Sequence, residues 1–295
     1  MADDRYRLID FGDGRKLESV AGRLIDRVSP AAETARPQSR ELWQQAVSRF
    51  CSNTKKWIHR EPWPDDLVVN CDGFVMPVRP TPFGHIGLFP EQFENWRWLR
   101  SHRGDDVAAT QKSALNLFGY TGASSMALAS VGYQVAHVDA AKPNVQSAGD
   151  AAKRNGWADY PIRYLVDDAA KFVAREVRRN KRYDTIVLDP PAYGHSPKGK
   201  AWRLERDLWP LLENCISLVD PTDFRMLITG HSPDVNSTDV VDFVGRRLKG
   251  FRSSQTDGRR IESGRSQLVD RTLRKLDAGF YVRIECRPDA FLEQQ

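Results

Sequence analysis

From residue 113 onward, short apolar runs alternate with segments whose apolar residues recur at helical spacing. "SALNLF" reads as a strand and "TGASSMALASVG" as a helix. "YQVAHVD" is a second strand, followed by the helix "AKPNVQSAGDAAKRNG" closed by Gly156. The pattern continues with the strand "IRYLV", the helix "DAAKFVAREVRRN", the strand "DTIVLD", the helix "RLERDLWPLLENCISLV" and the strand "RMLIT". Regular alternation of this kind predicts an α/β fold, a parallel sheet with helices on both faces. Such sheets bind ligands at the carboxyl ends of their strands.

Residues 1 to about 100 are patterned differently. "YRLIDFGDGRKLESVAGRLIDRV" holds two short mixed runs around a DG turn signal and predicts a hairpin. "SRELWQQAVSRF" has helical spacing, and "LVVNCDGFVMPVRPTPFG" reads as a strand pair broken by prolines. The expected organisation is a small β-rich (α+β) domain over 1–100, preceding the α/β domain over 101–295.

Composition narrows the function classes only modestly. The chain has 295 residues, 40% hydrophobic and 28% charged, as expected of a globular protein with one large and one small domain. A formal net charge of +5 is compatible with a polyanionic partner without requiring one. The acidic start "MADDRYRLIDFGDG" predicts no secretory signal, and no run approaches a membrane span. Cys51, Cys71, Cys215 and Cys286 are scattered without CxxC or Cys/His spacing, so neither a disulfide framework nor a metal site is expected. The expected setting is the cytoplasm. Oligomeric state is not legible.

The strand ends carry the candidate chemistry. The first ends in "NLFGYTG", where Gly119 and Gly122 permit a tight turn and close approach of a ligand. It lacks GxGxxG, and Thr121 sits where a dinucleotide fingerprint keeps the path clear. The second ends in Asp139, placed either to accept both ribose hydroxyls or to cap the following helix. The third ends in Asp167 and Asp168, one able to cap a helix and the other to face an adenine amino group. The fourth ends in Asp189, ahead of two prolines and Tyr193.

Taken in order, "LNLFGYTG", "VDAAK", "VDDAAKFV" and "DPPAYG" resemble the successive motifs of class I S-adenosylmethionine-dependent methyltransferases with a Rossmann-like sheet. More narrowly they resemble the large-subunit ribosomal RNA methyltransferases with a YTG loop and a DPPxF/Y motif, over roughly residues 83 to 232. The resemblance implies S-adenosyl-L-methionine as cofactor, no metal, and a cofactor site of Asn116, Phe118, Gly119, Tyr120, Thr121, Gly122, Ser125, Asp139, Ala140, Asp167, Asp168 and Asp189. "GLFPEQFENWRWL" resembles the segment before the catalytic domain in that family, whose Gln and Asn lean over the cofactor; these would be Gln92 and Asn95. The same segment also reads as an aromatic stripe, Phe89, Phe93 and Trp96, docking the two domains. A carboxylate-rich rim suits a cation that has ribose hydroxyls and no pyrophosphate, and GxxxxGKS/T is absent.

In an acid–proline–proline–x–aromatic corner, Asp189 and the Pro190 carbonyl accept hydrogen bonds from a planar base while Tyr193 stacks on its face. Lys198, Lys200 and Arg203 around Trp202 suit phosphates and stacked bases, or else a solvated loop. Methylating a pyrimidine carbon needs a covalent nucleophile, which relatives place as a cysteine after the fifth strand; here that position reads "TGHS", with His231. The leading expectation is therefore methylation of a base nitrogen in structured RNA, foremost ribosomal, with the N-terminal domain helping to grip it. The alternatives are a small-molecule or protein nitrogen as substrate, and a catalytically silent RNA-binding module.

Overall fold

The computed structural model describes residues 4–101, 112–194, 201–248 and 259–286. The chain forms two compact units: Met1–Arg97 with Asp150–Ala158 and Ser266–Ala278, and Trp98–Gly149 with Asp159–Arg265 and Gly279–Gln295.

The first unit is built on strands β1 (Tyr6–Gly12), β2 (Arg15–Val20) and β3 (Arg23–Val28), helix α1 (Arg40–Gln44), and strands β4 (Ser48–Cys51) and β5 (Lys56–His59). The sheet order is β1-β2-β3-β4-β5. Where one hairpin was expected, the first three strands form a meander with two tight turns. Asp13 and Gly14 both take positive φ, which the DG signal announces. Ala21 and Gly22 do the same (φ 47° and 81°), and the rarity of alanine there hides the third strand from sequence reading. Only five residues of "SRELWQQAVSRF" are helical. A helix that short is not stable alone, and Ser48–Cys51 instead pair with β3 and β5. Strands β6 (Val68–Asn70) and β7 (Val75–Pro77) form the expected pair. Leu8, Phe11, Ala32, Leu268 and Leu276 pack together in one core cluster of this unit.

Helix α2 (Phe93–Arg100) leads to the larger unit, where strands and helices alternate as the apolar pattern predicts. They are β8 (Ser113–Leu117), α3 (Ala123–Ala129), β9 (Gln134–Asp139), α4 (Lys142–Arg154), β10 (Ile162–Val166), α5 (Ala169–Arg178) and β11 (Thr185–Leu188). The short strands β12 (Tyr193–Gly194) and β13 (Trp202–Arg203) pair with each other. Then come α6 (Leu204–Ile216), β14 (Phe224–Gly230), α7 (Ser237–Arg247), β15 (Arg259–Val269) and β16 (Lys275–Cys286). The sheet order is β10-β9-β8-β11-β14-β16-β15. The strands from β10 to β14 are parallel and β16 runs antiparallel to β14. The chain winds outward from β8 to β10, then returns to the other side of β8 with β11. That reversal makes the carboxyl ends of β8 and β11 a topological switch point, where open α/β sheets form their ligand crevice. Among the described residues, no helix is long and apolar enough to cross a membrane.

Candidate active site

At the end of β8 the chain turns through Phe118 (φ 55°), Gly119 and Tyr120 (φ 50°) into Gly122, the left-handed N-cap of α3. Gly119 owes its identity to packing. A Cβ there would lie 2.5 Å from the His137 ring, and one on Gly122 would lie 2.7 Å from the Ala148 Cβ. The expected freedom of these two glycines is thus used against neighbouring side chains of the fold itself.

Beneath the loop lies a buried polar chain. Asn116 donates through Nδ2 to Ser125 Oγ at 2.8 Å, and Ser125 Oγ lies 3.0 Å from His137 Nδ1. All three residues are almost fully buried. Because Ser125 Oγ accepts from Asn116, its own hydrogen is free to go to Nδ1, which makes Nε2 the protonated ring nitrogen. Nε2 is buried without a hydrogen-bond partner. Burial pushes the imidazole down to about 4, Asp139 opposing, so His137 is neutral at pH 7. Sequence reading gave His137 no role. The signal was register: Asn116 and His137 are direct neighbours across β8 and β9.

Asp139 ends β9 half-buried. Its Oδ2 accepts from the Tyr120 N–H at 2.8 Å, while Oδ1 accepts from the Ala141 N–H at 2.8 Å and from Asn144 Nδ2 at 3.1 Å. It therefore joins the YTG loop to the start of α4, next to the exposed Ala140. Of the acid pair, Asp168 caps α5 by accepting from the Lys171 N–H at 2.9 Å. Asp167 accepts from the Asp168 N–H and pairs with Arg175, which leaves it as the member turned away from capping.

Asp189, half-buried after β11, accepts from the Thr229 hydroxyl at 2.6 Å. Thr229 is itself buried in β14, so the neighbouring strand fixes the rotamer of the acid. Pro190 is buried and Pro191 exposed. Trp202 donates its indole N–H to the Pro191 carbonyl at 2.7 Å, and its ring lies 5.1 Å from that of Phe118. Trp202 thus braces the corner against the loop after β8, in place of a freely presented stacking surface. Tyr193 is 68% exposed, and Arg203 beside it in the paired strand is exposed as well. Lys198 and Lys200 lie outside the described residues.

Gln92 and Asn95 are buried and bonded to each other, Asn95 Nδ2 donating to Gln92 Oε1 at 2.7 Å. They belong to the first unit, or its last residues, as do Phe89, Phe93 and Trp96. Phe93 and Trp96 meet at a centroid distance of 5.0 Å. His231, after β14, is exposed and lies against Gly279, where a Cβ would come within 2.7 Å of Nδ1. Cys215 is buried in α6 with its thiol pushed up by burial, and Cys286 Sγ donates to the Pro221 carbonyl. No group of three or more His, Cys, Asp or Glu side chains that could hold a metal ion occurs among the described residues.

The parallel strands thus bring Asp139, Asp167 and Asp189 to one end of the sheet with the loop after β8. Three of the four rim acids, Asp139, Asp168 and Asp189, are met by neutral N–H or O–H donors. A rim of carboxylates fits a cofactor carrying a sulfonium and an ammonium group.

Comparison with known proteins agrees with this geometry. A family model described as S-adenosylmethionine-dependent methyltransferase matches residues 12–228. The ribosomal RNA large subunit methyltransferase K/L of Methylococcus capsulatus is 30% identical over 115 residues, 38% of this chain and 16% of that protein. The ribosomal RNA large subunit methyltransferase I of Alteromonas mediterranea is 28% identical over 137 residues, 46% of this chain and 33% of that protein. These matches span a third or less of either relative's length. A solved S-adenosylmethionine-dependent methyltransferase from Agrobacterium tumefaciens is 30% identical with a TM-score of 0.85, covering 97% of this chain and 91% of its own. With a family model matching most of its length and a relative aligned nearly end to end, the chain belongs to the S-adenosylmethionine-dependent methyltransferase family.

Proposed function

We propose that this chain methylates a base nitrogen of structured RNA, ribosomal RNA foremost. The observation that carries the reading is the corner at Asp189: an acid held in one rotamer by Thr229, a donor-free Pro190–Pro191 backbone, and an aromatic ring 68% exposed two residues on. The relatives named for ribosomal RNA support RNA as the substrate class.

The cofactor supplies an electrophilic methyl group on a sulfonium. Asp139 would hold its ribose hydroxyls, and Asp167 its adenine amino group, while Asp168 keeps the α5 cap. Phe118, Tyr120 and Thr121 would line its path, and Asn116 and Ser125 support the loop from beneath.

At the corner, Asp189 and the Pro190 carbonyl accept hydrogen bonds from the exocyclic or ring N–H of the base. This draws electron density toward the nitrogen and holds its lone pair in line with the methyl group. Tyr193 stacks on the face of the base, which must leave its own stack to reach the corner. Methylating a pyrimidine carbon requires a covalent nucleophile beside the ring, a cysteine in the relatives. Cys215 is sealed in α6, and Cys286 lies against Pro221 at the end of β16, so nitrogen is the better acceptor. Lys198, Lys200 and Arg203 would contact phosphates.

Single-turnover methylation of ribosomal RNA fragments tests this. Asp189→Ala is expected to abolish transfer. Tyr193→Ala should weaken RNA engagement by about 1–3 kcal/mol, the worth of one base stack, and Tyr193→Phe should be nearly silent. If Tyr193→Phe is as damaging as Asp189→Ala, the hydroxyl takes part in proton transfer and the stacking role is wrong. Transfer to free nucleosides or to protein at rates above those on RNA would overturn the substrate class.

A further inference from the structure

The smaller unit contains a cavity of about 620 Å³ whose walls are dominated by arginine. Its origin is the register of the five-stranded sheet. Asp26, Arg49 and Ile58 are direct cross-strand neighbours on β3, β4 and β5, so the three side chains form one row on one face. Leu17 of β2 pairs with Asp26, and Arg15 stands two residues before it, on the same face. The segment from Pro37 through α1 supplies the remaining wall, including Arg40 and Trp43, and Arg60 follows β5.

Four guanidinium groups, of Arg15, Arg40, Arg49 and Arg60, thus face two carboxylates, Asp13 and Asp26. Arg15 and Arg49 share Asp26, at 2.6 and 3.2 Å. Burial pushes the Asp26 carboxyl up against the pull of those arginines. Arg60 donates to the Gln44 carbonyl at 2.6 Å, a bond that leaves its charge uncompensated. Arg40, exposed at the start of α1, has the exposed Glu41 beside it as its electrostatic neighbour. The cavity thus carries more planar cations than carboxylates, a surplus that an anion can use.

Two apolar surfaces stand among these charges. Ile58 is 58% exposed. The half-buried Trp43 is fixed by its indole N–H, which donates to Asp10 at 2.8 Å. Arginine forks interleaved with flat apolar surface match a sugar–phosphate chain, because the forks bind phosphate oxygens and the flat groups take bases or sugars. A cavity of this size holds a nucleotide-sized piece of ligand.

We propose that this cavity is an RNA-backbone site, with Arg40 and Arg60 as its principal phosphate contacts; the proposal rests on the reading of RNA as substrate. The cavity would add affinity that does not depend on the base being methylated. Arg15 and Arg49, tied to Asp26, shape the wall more than they bind.

Fluorescence anisotropy with a labelled oligouridylate of about sixteen nucleotides, across a salt series, tests the assignment on the full chain. Arg40→Gln with Arg60→Gln should lower affinity about tenfold and reduce the log–log salt slope by about 1.4, the value for two lost phosphate contacts on a single strand. Charge reversal to Glu at both positions should weaken binding further. S-adenosylhomocysteine affinity and thermal unfolding should stay at wild-type values, since both side chains are exposed. Arg203→Gln serves as the comparison, because Arg203 belongs to the proposed methylation site. If wild type binds the oligonucleotide, and Arg203→Gln weakens it while both Arg40/Arg60 variants bind as wild type, the cavity assignment is overturned and RNA as substrate stands. If wild type binds no RNA at any salt concentration, the substrate reading falls and the cavity assignment with it.

Discussion

In the smaller unit, Glu18 is fully buried and meets Arg27 through two hydrogen bonds, 2.5 and 2.8 Å, with Tyr6 donating a third at 2.9 Å. Asp10 is likewise paired with Arg274, 264 residues away in the chain. On the rim of the larger unit, Asp139 and Asp168 receive backbone N–H groups and an amide, none of them charged, and Asp189 receives the Thr229 hydroxyl. Asp167, paired with Arg175, is the exception, and that pair is partly exposed. The difference separates architecture from binding. An acid held by a cation is electrically finished, whereas an acid held by neutral donors is fixed in place and keeps its charge for a ligand.

The largest expected effect tests the architectural side. Arg27→Met should cost about 3–5 kcal/mol of stability, because it leaves Glu18 buried without its main partner. Burial pushes the Glu18 carboxyl up, but Arg27 and Lys16 outweigh it and hold it at about 2. The wild-type contribution is therefore complete above pH 4.5 and fades as pH falls toward 2. The deficit of the variant, followed by denaturant unfolding, should shrink over the same window. Adding Glu18→Gln should restore much of the loss. If the double variant is no more stable than Arg27→Met, the loss arises from packing of the guanidinium and the charge-pair account is wrong.

How much of this was legible follows the range of the interactions. The strand order of acids was readable because each acid ends an apolar run, as in "YQVAHVD" and "DTIVLD", and a parallel sheet then gathers the strand ends by topology alone. The cap at Asp168 was one of two readable options. The polar chain of Asn116, Ser125 and His137 was not readable, since it depends on register between β8 and β9. Nor was Thr229, whose bond to Asp189 spans 40 residues, or Arg274 on Asp10. The third strand of the meander stayed hidden for a local reason, the positive φ of Ala21.

The next effect tests the binding side. Asp139→Ala removes a carboxylate whose hydrogen bonds are worth about 1.5–3 kcal/mol each. S-adenosylhomocysteine affinity, read by calorimetry, should fall at least about tenfold. Asp139→Asn should not rescue it. Both oxygens already face backbone N–H donors, Tyr120 on one side and Ala141 on the other, so an amide NH₂ opposes a donor in either orientation. Asn144→Ala takes away only the side-chain donor at 3.1 Å and should cost under about 1 kcal/mol. Equal losses from Asp139→Ala and Asn144→Ala would mean that Asp139 acts only by bracing the start of α4.

The last effect is one of pH. His137 is held neutral, with burial pushing it down to about 4 against an ordinary value of 6.5. The unfolded chain therefore takes up a proton that the native state refuses, and native stability declines as pH falls from about 6.5 to 4. Between pH 7.5 and pH 5 the loss should be about 2 kcal/mol. The Glu18–Arg27 pair of the smaller unit loses nothing in that window, because Glu18 remains charged down to about pH 2; His59 and His85, both pushed down by burial, add their own share there. The share of the decline that belongs to His137 should reach the YTG loop, since Gly119 packs directly on the His137 ring. His137→Asn keeps an acceptor for the Ser125 hydroxyl but does not titrate. It should lessen the slope of the stability profile over this range, leaving the part due to His59 and His85, and S-adenosylhomocysteine affinity should lose its fall toward pH 5 with it. A His137→Asn variant that retains the full wild-type slope would assign the acid sensitivity to another group and leave His137 as packing alone.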